Sequence, residues 1–170
     1  MLILNGSARR DGNTALTVVR LRDALGGPST LINLSDPPIP AFDYEDRGRA
    51  DAFAAAGGAM LEHEIIVCAT PVYWYAMSAQ MKALFDRFTD LLGTAVGRGL
   101  TGRTMLLLAN GTDPRLPAGF ETPFRRTARY LGMAYGGGAY VRFEGDGEMS
   151  ADGQQRITQF SRLAGPGRSA

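Results

Sequence analysis

The sequence predicts an α/β protein: five short parallel strands in one doubly wound sheet, with helices on both faces. Three observations predict it. Apolar runs and helical runs alternate about five times along the 170 residues, the order that parallel strands joined by crossover helices require. Residues 64–70, Glu64-Ile65-Ile66-Val67-Cys68-Ala69-Thr70, are apolar on every side, as a central strand covered on both faces should be. The opening strand, residues 1–4, leads through a glycine-bounded loop directly into a helix, the strand-loop-helix unit with which such folds begin.

The elements follow in order. Residues 14–25 place Leu16, Val19, Leu21 and Leu25 near helical spacing, and Gly26-Gly27-Pro28 stops the helix. Residues 30–34 form a short strand, and the prolines at 37, 38 and 40 open a loop that runs to about Gly48. Residues 49–62 read as a second helix weakened by Gly57-Gly58, followed by the central strand. The best helix spans residues 78–92, with Met81, Leu84, Phe85, Phe88, Leu91 and Leu92 on one face, Ser78 as its cap and Gly93 as its end. Residues 105–109 are a fourth buried strand, and Thr122-Pro123 caps and starts a helix to Leu131. A fifth strand covers 139–143, residues 145–147 read as flexible, and 152–163 form a last helix.

Bulk properties narrow the function. The length suits one domain over residues 1–164 with a frayed tail over 165–170. With 18 basic and 17 acidic residues the net charge is +1, too balanced for a nucleic-acid or polybasic membrane surface. The single cysteine, Cys68, excludes an internal disulfide and a cysteine-held cluster. No basic leader and no apolar run near the length of a membrane helix is present, so the expectation is a soluble, cytoplasmic protein acting on small molecules. Cys68 reads as an inert core thiol and His63 as a surface residue rather than a ligand.

Ligands of such sheets bind beyond the carboxyl ends of the strands, where three loops converge. The first, Gly6-Ser7-Ala8-Arg9-Arg10-Asp11-Gly12-Asn13-Thr14, offers glycines for close approach and short donors beside a helix N-terminus, a phosphate site or else an ordinary turn capped by Asn13 or Thr14. It lacks the Lys-Ser/Thr ending of a P-loop, and its glycines are too widely spaced for the dinucleotide fingerprint, so a terminal monophosphate fits it best. The second, residues 70–77, puts Tyr73, Trp74 and Tyr75 in a row; they either cover a planar ligand or fill a helix gap or oligomer contact. The third, Asn110-Gly111-Thr112-Asp113-Pro114, supplies amides and short polar groups, or is a plain turn.

The first loop, together with Pro71-Val72-Tyr73-Trp74-Tyr75-Ala76-Met77-Ser78-Ala79-Gln80-Met81-Lys82-Ala83-Leu84-Phe85-Asp86-Arg87, resembles the NADPH-dependent FMN reductase family of flavodoxin-like proteins. Tyr130-Leu131-Gly132-Met133 is similar to a later segment of that family, and the order of elements agrees nearly end to end. The resemblance implies the strand order 2-1-3-4-5. It implies FMN as cofactor, with Ser7, Arg9, Gly12, Asn13 and Thr14 at its phosphate, Pro71, Val72, Tyr73, Trp74 and Tyr75 along its ring, and Gly111 and Thr112 at its far edge. It implies no catalytic side chain and no metal: NADPH or NADH delivers a hydride, and a quinone, flavin, azo compound or similar acceptor takes the electrons in a ping-pong reaction. Arg9 and Arg10 are candidates for the extra phosphate of NADPH, with solvation the rival role for Arg10. A homodimer or homotetramer through the helix that begins at Ser78 is also implied. Two other functions stay open: a flavodoxin-like electron carrier, against which the near-neutral charge argues, and a flavin-free binding or tailoring protein of the same fold.

Overall fold

The computed structural model describes residues 1–165. The chain runs β1 (Leu2–Asn5), α1 (Asn13–Leu25), β2 (Thr30–Asn33), α2 (Ala52–Leu61), β3 (Ile65–Tyr73), β4 (Ala76–Met77), α3 (Ala79–Arg87), a 3-10 turn (Phe88–Leu91), α4 (Ala95–Gly99), β5 (Thr104–Gly111), α5 (Thr122–Tyr130), β6 (Ala134–Arg142) and α6 (Gly153–Ala164). The strands order as β2-β1-β3-β5-β6, all parallel. With the two-residue β4, an antiparallel flap on β3, set aside, this is the expected 2-1-3-4-5. Of the expected tail, residues 166–170 lie outside the described residues.

Alternate strand residues feed two cores, as the two-residue period of a pleated strand dictates. Ile3, Val67, Leu106 and Leu108 pack beneath Val18 and Leu21 of α1 and Ile157 and Phe160 of α6. Leu4, Ile66, Cys68 and Leu107 face the other layer, where Phe53 and Met60 of α2, Met81 and Leu84 of α3 and Phe124 of α5 are buried. The central strand is buried as expected, and desolvation pushes the Cys68 thiol up to about 12, so it stays protonated. His63 sits at the end of α2, bonded to the Ala59 carbonyl and the Thr30 hydroxyl.

Several expected elements differ. The helix over 78–92 stops at Arg87 and tightens to 3-10; the eclipsed i,i+3 geometry there pairs Arg87 Nε with Asp90 at 2.7 Å. The fifth strand begins at Ala134 rather than 139: Gly136-Gly137-Gly138 joins it through a register shift opposite Met105/Leu107, with Gly137 at φ +102°. The short α4 appears where none is expected, capped by the Thr94 hydroxyl on the Gly97 amide. Residues 145–147 are not a free linker but the tip of a hairpin closed by a Phe143–Met149 bridge.

One buried ionic cluster fastens the loop between β2 and α2 to α3. Arg87 is 1% exposed, donates to Asp51 at 2.8 Å and lies 4.9 Å over the Phe53 ring. Asp51 also caps α2 by accepting from the Phe53 and Ala54 amides, and receives Arg49 Nε at 2.8 Å. Burial alone would raise the Asp51 carboxyl, but the hydrogen bonds from Arg87, Arg49 and the two amides outweigh it and hold it at about 2.

Candidate functional site

The first loop is folded by its own side chains. Asn5, at the carboxyl end of β1, donates to Asn33 Oδ1 at 2.9 Å and accepts from the Ser7 amide at 3.1 Å; Ser7 Oγ accepts from the Arg9 amide at 3.1 Å. Gly6 then passes so close to α3 that a Cβ on it would lie 3.0 Å from Met81 Cβ, Met81 Cε and Ser78 Oγ. Ser78 Oγ donates to the Gly6 carbonyl at 2.5 Å and accepts from the Met81 amide at 3.2 Å, so the cap of α3 also ties the first loop to the second. At the other end Gly12 is the N-cap of α1 and offers no side-chain cap. The first amides of α1 are thus left for an outside acceptor, and the helix dipole favours an anion there.

The second loop is a two-residue hairpin. Tyr73 pairs with Ala76, and the turn residues Trp74 and Tyr75 both take left-handed backbone, φ +48° and +66°. Such turns favour Asn or Gly, and each bulky residue held there costs about 1–3 kcal/mol. Trp74 is 93% exposed and Tyr75 70%.

In the third loop Asn110 is buried at the end of β5, and its Oδ1 has no hydrogen-bond partner. A Cβ on Gly111 would lie 2.9 Å from the Tyr140 hydroxyl and 3.3 Å from Val72 Cβ, so glycine gives the second and third loops room to approach closely. Tyr140 donates to the Asp113 carbonyl at 2.8 Å, and burial, then Asp113, raises its pKa.

These loops enclose a cleft of about 320 Å³ lined by Ser7, Arg9, Gly12, Asn13, Thr14, Pro71, Val72, Tyr73, Asn110, Gly111, Thr112 and Asp146. Ten of the twelve residues expected in the site therefore meet. Trp74 and Tyr75 do not line it; Tyr75 faces a neighbouring groove between α3 and α5 with Met77, Phe85 and Phe120. Of the two other lining residues, Asn110 opens the expected third loop and only Asp146 escaped sequence reasoning. Asn110 was visible as a polar residue closing an apolar strand, whereas Asp146 arrives only through the hairpin after β6. Asn13 is also committed differently from expectation, since its side chain donates to the Gly145 carbonyl at 3.2 Å and accepts from the Gly147 amide at 2.7 Å. Arg9 reaches Asp146 at 3.0 Å and Asp11 at 3.5 Å, and the hydrogen bond to Asp146 leads the causes that raise its pKa. Arg10 pairs with Asp36 away from the cleft.

A family model described as NADPH-dependent FMN reductase matches residues 1–147. The chain belongs to that family. A Bacillus subtilis (strain 168) protein that carries the name of an NAD(P)H-dependent FMN-containing oxidoreductase, YwqN, is 27% identical over 175 residues, 95% of this chain and 94% of its own. The solved structure of a Trp repressor binding protein from Bacillus subtilis superposes with a TM-score of 0.75 at 22% identity, covering 99% of each chain. General stress protein 14 of Treponema denticola, solved in complex with FMN, superposes at 0.64 with 20% identity, covering 95% of this chain and 92% of that one. The fold of this FMN reductase family member is flavodoxin-like, and no helix among its described residues is long and apolar enough to cross a membrane.

Proposed function

We propose that residues 1–164 act as one FMN-binding domain that oxidises NADPH or NADH and reduces a small acceptor such as a quinone, a flavin or an azo compound. The observation that carries the reading is the cleft: an uncapped helix N-terminus and Arg9 at one end, and the unpartnered Asn110 Oδ1 beside the Gly111 constriction at the other. The residues fit the group. The amides of α1, with Ser7, Thr14 and Arg9, suit a terminal phosphate. A buried acceptor such as Asn110 Oδ1 is costly to leave unpaired and suits an N–H of a heterocycle.

FMN, when bound, supplies the hydride-accepting and electron-donating chemistry. This chain's residues bind and orient. Gly12 keeps the mouth of α1 clear, Gly111 lets Val72 and Tyr140 close on one another, and Tyr73 with Pro71 gives one wall an apolar surface. The strained Trp74-Tyr75 turn leaves two rings exposed outside the cleft. The net charge of +1 supports a reductase over a carrier that meets redox proteins through an acidic face. A free, buried Cys68 suits a reducing cytoplasm. The apolar groove beside Tyr75, with Leu92 and Tyr130 exposed nearby, supports self-association through α3, which light scattering in solution tests.

Fluorescence titration with FMN and with riboflavin tests the reading. The expected result is saturable binding of FMN, with riboflavin weaker because it lacks the phosphate. A protein that takes up neither flavin contradicts it.

A further inference from the structure

The two charged residues that line the cleft are Arg9 and Asp146, and they face each other at 3.0 Å. Asp146 is not there by accident of a loose loop. Its hairpin is closed by Phe143 on Met149 and by the Glu144 amide on the Glu148 carbonyl at 2.8 Å. It is then pinned to the first residue of α1 by both ends of the Asn13 amide, on Gly145 and Gly147. The hairpin therefore holds a carboxylate at the mouth of the helix whose N-terminus would receive a phosphate.

We propose that Asp146 competes with the flavin's phosphate for Arg9 and so keeps phosphorylated flavin exchangeable and sets the preference between FMN and riboflavin. This inference rests on the FMN reading above. The ion pair is solvent-exposed, with Arg9 and Asp146 side chains 55% and 62% accessible, so it is weak enough to open. A doubly charged phosphate entering the cleft replaces Asp146 on Arg9, but Asn13 keeps the hairpin, and with it the displaced carboxylate, close by. The residual like-charge repulsion acts on the phosphate and leaves the ring's contacts alone. Affinity for FMN is thereby held down while affinity for riboflavin is untouched.

The test is equilibrium titration of the full chain, its Asp146→Asn variant and the Asp146→Asn/Arg9→Gln double variant with FMN and with riboflavin at low ionic strength. Asp146→Asn keeps the shape and removes the charge. The expected result is FMN binding roughly tenfold tighter in Asp146→Asn, riboflavin binding unchanged, and most of the gain lost in the double variant or in high salt. FMN bound by the parent but equally or more weakly by Asp146→Asn overturns the competition and leaves the FMN reading intact. Equal changes for FMN and riboflavin overturn it too, since a merely structural hairpin would move both. No flavin binding by any of the three proteins overturns both readings.

Discussion

Gly6→Ala probes the join between the first two loops. Gly6 has no left-handed backbone requirement, so the whole effect comes from space. The added methyl would meet Met81 Cβ, Met81 Cε and Ser78 Oγ, each at 3.0 Å. Met81 Cε can swing, but Met81 Cβ is fixed to a fully buried helix position. Ser78 Oγ is fixed by its bonds to the Gly6 carbonyl and the Met81 amide. Overpacking of this kind costs about 1–3 kcal/mol, and displacing Ser78 Oγ weakens the α3 cap by about 1 kcal/mol more. The expected loss is about 2–4 kcal/mol in urea denaturation, or roughly 4–16 °C in Tm for a chain of this size. FMN affinity should fall as well, because the loop moves off α3. Stability within about 0.5 kcal/mol of the parent, with unchanged FMN affinity, would refute the close-approach argument.

Gly58→Ala should do the opposite: Gly58 lies exposed inside α2 with nothing within 4 Å of an added Cβ, so chemical denaturation should show a gain of about 0.5–1 kcal/mol. Acid stability should depend on Asp51. Its carboxyl sits at about 2 when folded against an ordinary 3.8; a depressed value stabilises above the ordinary pKa, and about 2 kcal/mol is lost as pH falls from about 5 to 2. Denaturation midpoints measured across that window should fall less steeply in Asp51→Asn, which starts weaker because Arg87 then loses a charged partner.

Most of the sheet was legible because its strands are apolar and short and because Gly26 ends α1 and Gly132 follows the end of α5. Residues 134–138 escaped because three successive glycines carry no strand preference; they pair only because Gly138 can approach the Leu107 carbonyl, where a Cβ would lie at 3.0 Å. The β3–β4 hairpin escaped for the converse reason, since Trp74 and Tyr75 are the wrong residues for its turn. In the site, the residue types that bring a backbone close, Gly6, Gly12 and Gly111, could be read locally. The partners of Asn13 are 132 and 134 residues away, and no local pattern announces them. The same distance hid Asp146, because a glycine-flanked acid reads as a solvated loop until the hairpin is seen docked on α1.

Anaerobic addition of NADPH, and separately NADH, to the FMN-loaded protein tests the central claim most directly. The account predicts that at least one nicotinamide bleaches the bound flavin's visible absorbance and that a benzoquinone added afterwards restores it. Flavin that stays oxidised with both nucleotides would contradict it.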